Sequence, residues 1–276
     1  MSSPAARLED LELRLLLEAV YQHYGYDFRE YARSSLKRRI WRRVHEENLG
    51  TISGLQERVL HDPGCLERLL LDLSISVTSM FRDPSFYSAL RSKVVPLLRT
   101  YPFIRVWNAG CATGEETYSL AILLHEEGLG DRTRIYATDI NDVVLHQARD
   151  GVFPLEKMRE YTEHYIRSGG RASFSDYYKV FGEKVKFQPS LVDQVVFAQH
   201  NLVSDAAFNE FHLIVCRNVM IYFDRSLQDK VHTLLHRSLV RFGVLGLGHK
   251  ESIRFTSLAD SYEEIDAHEK LYRRVA

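Results

Sequence analysis

A run of small residues, Ala109-Gly110-Cys111-Ala112-Thr113-Gly114, follows an apolar stretch and leads at once into Glu115-Glu116-Thr117. Residues without bulk let a ligand approach backbone N–H groups, and the first turn of a helix adds a partial positive charge there. A second apolar stretch, residues 134–138, ends in Asp139. That acid lies about 25–30 residues beyond the glycines, the interval at which a nucleotide-binding βαβ unit places a carboxylate on a ribose. Gly110 and Gly114 do not form GxGxxG, which disfavours a nicotinamide dinucleotide. Carboxylates at Glu115 and Glu116 would repel a polyphosphate and suit an α-ammonium, so the pattern points away from ATP and toward S-adenosylmethionine.

A third apolar strand, Phe211–Cys216, ends at Arg217-Asn218, with Tyr222 shortly after. Ligands of open parallel sheets bind beyond the carboxyl ends of the strands, so Asn218 and Tyr222 belong on the rim that carries Gly110 and Asp139. The connector Thr78-Ser79-Met80-Phe81-Arg82-Asp83 brings one arginine. Lys37, Arg38, Arg39, Arg42 and Arg43 crowd one helix, whose Leu36, Ile40 and Val44 would face the core. Such a cluster in a near-neutral chain suggests an acidic docking partner, a glutamate-rich helix or nucleic acid. His232 and His236 are four apart but lack the glutamate of HExxH, Cys111 has no base beside it, and no metal site is expected.

The elements that must position these residues divide the 276-residue chain in two. The first third reads as helical. Leu11, Leu15, Ala19 and His23, widened by Leu8 and Leu16, mark one apolar stripe. A second helix would be capped by Ser34 or Ser35 and end at Asn48-Leu49-Gly50, a third would start at Thr51 or Ser53, and a fourth covers residues 65–73. Strand-like and helical runs alternate after Tyr101-Pro102, which implies a mostly parallel sheet with helices on both faces. Residues 174–197 break that alternation and read as a small antiparallel insertion. The expected division is 1–74, a connector 75–94, and an α/β domain 95–276.

Composition is that of a soluble globular protein, with 45% hydrophobic and 26% charged residues and a formal net charge of −1. No bulk attraction to nucleic acid or membrane follows from that charge. Cys65, Cys111 and Cys216 are far apart and suit a reducing compartment. Residues 1–10 carry no signal-peptide core and no run spans a bilayer, so a cytoplasmic location is expected.

Taken in order, Thr78-Ser79-Met80-Phe81-Arg82-Asp83, the run from Trp107 to Ser119, Ala137-Thr138-Asp139-Ile140, His200-Asn201-Leu202 and the run from Cys216 to Phe223 resemble the chemotaxis-receptor glutamate methyltransferases, the CheR family. The resemblance implies an all-α N-terminal domain followed by a Rossmann-like methyltransferase sheet with a small β-insertion. It implies S-adenosylmethionine bound by Thr78, Arg82, Glu115, Asp139 (on the ribose), Asn201 and Leu202 (beside the adenine), Arg217 and Asn218. Ser76 stands where family members often have Asn, and joins that set. Arg82 and Tyr222 would act on the reacting groups. The basic helix would dock the cytoplasmic helical domain of chemoreceptors, for glutamate methyl esterification in sensory adaptation. The insertion, near Gly182-Glu183-Lys184 and Gln188-Pro189-Ser190, is not glycine-rich, so pentapeptide-independent docking by a monomer is expected. A nucleic-acid methyltransferase is the rival enzyme, but Asn218-Val219-Met220-Ile221 lacks the prolines of the base-holding motif. A scaffold without turnover is the non-enzymatic alternative; the ligand loop and Tyr222 argue against it.

Overall fold

The computed structural model describes residues 4–73, 78–254 and 256–276. The chain forms two compact units: Met1–Ile75 with Tyr222–Lys230, and Ser76–Ile221 with Val231–Ala276.

The first unit contains α1 (Pro4–Tyr24), α2 (Arg33–Glu46), α3 (Ile52–His61) and α4 (Pro63–Leu73). Its core takes Leu13, Leu16, Leu17 and Val20 from α1, leaving Leu8, Leu11 and Leu15 exposed. The stripe expected from Leu11 and Leu15 is therefore out of phase. Leucines recur at helical spacing on two faces of this segment, and the face that meets α3 is the one that packs. Thr51 caps α3 by accepting from the Gly54 N–H at 3.0 Å. α2 begins at Arg33 behind Ala32, with no side-chain cap, so neither Ser34 nor Ser35 has the expected role. Pro63 opens α4, where its missing N–H costs nothing, and Asp62 accepts from the Gly64 N–H.

The second unit opens with α5 (Pro84–Ala89), one π-helical turn and α6 (Val95–Leu98). The chain continues through β1 (Ile104–Ala109), α7 (Glu115–Glu126), β2 (Thr133–Asp139), α8 (Asp142–Asp150), β3 (Val152–Pro154), α9 (Met158–Arg167), β4 (Tyr178–Phe181), β5 (Lys184–Phe187), β6 (Val195–Gln199) and β7 (Phe211–Cys216). It ends with α10 (Arg225–Arg237), which begins among the residues of the first unit, then β8 (Leu239–Leu247), β9 (Tyr262–Asp266) and β10 (Leu271–Arg274). The main sheet runs β6-β2-β1-β7-β8-β10-β9. Its first five strands are parallel, and β10 pairs antiparallel with both β8 and β9. Strand order reverses between β1 and β7, the switch point at which sheets of this kind open a crevice at their carboxyl ends. Every residue of β7 is buried, as a central parallel strand requires.

A second sheet, β3-β5-β4, is antiparallel. The sequence anticipates its hairpin but not its third strand, because Val152–Pro154 is too short to carry a periodic signal. β6, inside the expected insertion, instead edges the main sheet. Aromatic residues hold the small sheet down: Phe187 packs against Tyr118, Phe153 and Phe174 at 5.3–5.8 Å between ring centroids. No described helix is long and apolar enough to cross a membrane.

Candidate functional site

At the end of β1 the chain turns through three left-handed residues, Gly110 (φ 76°), Ala112 (φ 49°) and Gly114 (φ 96°). A Cβ on Gly110 would stand 2.5 Å from Val219, so the two loops at the switch point close on each other only with glycine there. Gly110 and Cys111 give their N–H groups to the Thr138 carbonyl, and Ala112 gives its own to Asp139 Oδ2 at 2.9 Å. Asp139 Oδ1 accepts from the Asn141 N–H at 3.0 Å. Asp139 is thus a buried brace for the glycine loop, with acceptor capacity beyond these bonds. Burial pushes its pKa up, against the N–H groups that favour the anion.

Glu115 opens α7 and is buried. Its hydrogen-bond partners are neutral hydroxyls, Thr113 at 2.6 Å and Tyr161 at 3.3 Å. Burial raises its pKa, outweighing the Thr113 and Tyr161 hydroxyls, its own backbone N–H and the charge of Lys157, which all favour the anion. An α-ammonium fits this donor set better than any anion would. Thr113 and Glu115 line a cavity of about 1130 Å³ that runs past Gln147, Phe153 and Lys157 to Glu183, toward the small sheet; of the residues expected to hold the cofactor, Glu115 alone lines it.

Glu116 is committed elsewhere. It accepts from Asn108 at 2.8 Å and pairs with Arg217 at 2.8 Å, while the other arm of Arg217 reaches Asp83 at 2.6 Å. The Arg217 side chain is 1% exposed, and its guanidinium lies 4.1 Å from the Phe86 ring centre. Burial opposes its charge, but Glu116, Tyr87 and Asp83 outweigh that and raise its pKa. The predicted rim arginine therefore clasps the connector to the glycine-loop helix. Its Nε has no hydrogen-bond partner among the described residues.

In the connector, Phe81 (φ 50°) and Asp83 (φ 57°) flank Arg82, so Arg82 sits between two strained residues on a half-buried loop. Phe81 is anchored through its N–H to Ser119, whose hydroxyl in turn bonds the Glu115 carbonyl. Thr78 is half-buried, and its neighbour Ser79 bonds Glu160. Ser76 lies outside the described residues. Past β6, Asn201 is buried and its side-chain oxygen holds the Val203 N–H at 2.9 Å; Leu202 is half-buried. The His200 N–H bonds the Asp139 carbonyl, which joins this loop to the end of β2.

Asn218, also left-handed (φ 61°), begins a turn gripped by a residue that sequence reasoning missed. Glu251 accepts four backbone N–H groups at 2.7–2.9 Å, those of Asn218, Val219, Met220 and Gly248. No periodic pattern precedes Glu251, and its nearest sequence signal is the adjoining Gly248, where a Cβ would meet the same carboxylate at 2.8 Å. Cys111 and Cys216 are buried with thiol pKa values pushed well up by that burial, which removes both as nucleophiles.

Tyr222 belongs to the helical unit. Its carbonyl accepts the Ala32 N–H at 2.8 Å, its ring lies 4.9 Å from the Arg39 guanidinium, and the next residue, Phe223, packs edge-on against Tyr31. The basic cluster of α2 splits in two. Arg39 and Arg43 are buried: Arg39 bonds the Leu73 carbonyl, and Arg43 pairs with Asp72 at 2.6 Å and Glu46 at 3.0 Å. They share the inward face with Leu36, Ile40 and Val44, so they present no charge to a partner. This corrects the expectation for those two: in α4 the Leu73 carbonyl draws in Arg39 and Asp72 draws in Arg43. Lys37 pairs with Glu9, and Arg42 pairs with Asp72 while remaining exposed. Arg38 is exposed on the same helix.

Residues 76–270 match the family described as CheR methyltransferase, SAM binding domain, and residues 11–74 match CheR methyltransferase, all-alpha domain. The chain is 50% identical over 268 residues to the Pseudomonas putida protein named "Putative methyltransferase Cher3", covering 97% of this chain and 98% of that one. It is 31% identical to a chemotaxis protein methyltransferase of Listeria innocua, across 89% of this chain and 92% of the relative. For a protein of the same name from Escherichia coli the identity is 28%, across 89% and 85%.

Proposed function

The chain belongs to the CheR methyltransferase family, and on that premise we propose that it esterifies glutamate side chains on the cytoplasmic helical domain of chemoreceptors, releasing S-adenosylhomocysteine. The observation that carries the cofactor reading is Glu115: a buried carboxylate without a bonded cation, at the edge of a cavity and one residue past a left-handed glycine. In the proposed site Glu115 takes the α-ammonium and Asp139 accepts from the ribose hydroxyls with its remaining lone pairs. Asn201 and Leu202 border the adenine. Thr78, Arg82 and Asn218, with Ser76, complete the set, and Arg217 acts by holding Asp83 and Glu116 in place.

S-adenosylmethionine would supply a methyl group activated by its sulfonium, for transfer to a γ-carboxylate oxygen with the thioether, S-adenosylhomocysteine, as leaving group. A glutamate carboxylate is ionised at neutral pH, so the protein needs no general base. What remains for the protein is to orient that carboxylate and strip its water. Tyr222 donates a hydrogen bond to the incoming carboxylate, and Arg82 orients it at a distance that spares its nucleophilicity. Docking falls to the exposed cations of α2, Lys37, Arg38 and Arg42, in residues 1–74, with 75–94 as the connector. The protein works in the cytoplasm as a monomer. The tip of the β4–β5 hairpin carries one glycine, Gly182, in keeping with docking that needs no receptor pentapeptide.

Tritiated methyl transfer to receptor-bearing membranes and to RNA, compared side by side, tests the reading. Base-labile label on receptor supports it. Label on RNA, or base-stable label on protein, refutes it.

A further inference from the structure

His249, His268 and Glu269 come together where β8 leaves the main sheet and β9 turns into β10, and none of the three has been given a part in methyl transfer. His249 lies in the tight turn that leaves β8, which closes through the Glu251 N–H on the Gly248 carbonyl. His268 and Glu269 lie in the turn between β9 and β10, pinned by N–H bonds of both to Asp266 Oδ1. Glu269 is 5% exposed. One of its oxygens is 3.0 Å from His249 Nε2, the other is 2.7 Å from His268 Nδ1, and Ser85 supports the same carboxylate.

We propose that these three side chains bind a divalent transition-metal ion of the zinc class. One nitrogen from each imidazole and one carboxylate oxygen already lie within 4.8 Å of one another. Bonds of about 2.0–2.2 Å to nitrogen and oxygen need ligand atoms about 3–3.6 Å apart. Small rotations of the imidazoles close that gap, and the His268 side chain, 80% exposed, is free to make them. The carboxylate is the fixed point, oriented by a hydroxyl and a braced turn in the way outer partners orient a metal ligand. Two imidazoles select zinc, cobalt, nickel or copper; magnesium and calcium favour oxygen ligands. Three protein ligands leave a position for water. Bound metal would tie the exit of β8 to the β9–β10 turn, two residues before the Glu251 that grips residues 218–220.

The test uses the full chain, untagged and stripped of metal. Titration with Co²⁺ should give visible d–d absorption saturating at about one equivalent, and calorimetry should show Zn²⁺ but not Mg²⁺ binding at the same stoichiometry. His268→Ala should weaken Co²⁺ binding about tenfold or more without changing the metal-free melting temperature, since that side chain is exposed. Glu269→Gln should weaken it similarly. Absence of a saturable absorption overturns the proposal, as does a His268→Ala protein that binds Co²⁺ with undiminished affinity. Neither result decides the reading of methyl transfer, in which none of the three side chains has been given a part.

Discussion

Glu115 carries a pH prediction whose sign follows from its surroundings. Burial holds its carboxyl proton to higher pH than an ordinary glutamate does. A cation bound beside it would favour the anion and release that proton. Affinity for S-adenosylhomocysteine should therefore fall as pH drops from about 8 toward about 5, with proton release visible when calorimetry is repeated in buffers of different ionisation enthalpy. Glu115→Gln should bind more weakly and lose this acid-side dependence; an unchanged profile would remove Glu115 from the ammonium site. For folding of the ligand-free chain the same raised value works the other way. Glu115 contributes stability below the ordinary carboxylate range and gives it up as pH rises through its own raised value. Arg217 supplies a second prediction at this scale. Arg217→Met leaves Glu116 and Asp83 without their shared cation, a loss of about 3–5 kcal/mol readable in urea unfolding. Methyl transfer should fall with it, because connector and glycine loop lose their clasp. Those partners were hidden in the sequence, since they stand 101 and 134 residues away from Arg217. The glycine loop itself was legible because an apolar run, small residues and a helix start are all local signals.

Among the elements, α2 shows how a charge run misleads. Five cations in seven positions read as one patch, yet α4 offers the Leu73 carbonyl to Arg39 and Asp72 to Arg43, and the helix turns those two inward. Spacing alone places Arg39 and Arg43 in phase with Ile40 and Val44 as readily as in phase with solvent; only the acceptors on the neighbouring helix, a carbonyl for one and an acid for the other, decide. Structural and docking roles can be separated by substitution. Arg43→Ala leaves Asp72 short of a buried partner and should cost about 3 kcal/mol of stability. Arg38→Glu should change stability by less than about 0.5 kcal/mol yet cut receptor methylation several-fold, with cofactor affinity intact. Normal methylation by the Arg38→Glu protein would move docking off this helix. The turn after β7 makes the complementary case. Its three left-over backbone donors, with that of Gly248 after β8, are met by one carboxylate, Glu251, so Glu251→Gln, which replaces one acceptor oxygen by a donor, should cost about 1–3 kcal/mol and weaken cofactor binding. Hydrogen exchange at residues 218–220 would report the loosening directly.

At the scale of the whole molecule, chain order and packing part company at Tyr222. The parallel sheet, its switch point and the helical first third were readable from alternation and periodicity. That residues 222–230 would pack with helices nearly two hundred positions earlier was not, because nothing local marks it. Within the helical unit, Ala32 and Tyr31 fix the backbone of Tyr222 and the ring of Phe223. Ala32→Pro probes that link with a small change. Ala32 has φ −57°, which proline adopts without strain, and Tyr31 before it forms a β-bridge, the conformation a following proline favours. The substitution removes one N–H, the donor to the Tyr222 carbonyl. If Tyr222 orients the incoming carboxylate, the methylation rate at saturating cofactor should fall about tenfold, equivalent to roughly 1.4 kcal/mol of transition-state positioning. Affinity for S-adenosylhomocysteine should stay within a factor of about two, because no proposed ligand of the cofactor belongs to that unit. Tyr222→Phe should give a rate loss of similar size that Ala32→Pro does not deepen, the non-additivity expected of two changes acting through one hydroxyl. Additive losses in the double variant would mean that Ala32 supports the fold and that Tyr222 works independently of it.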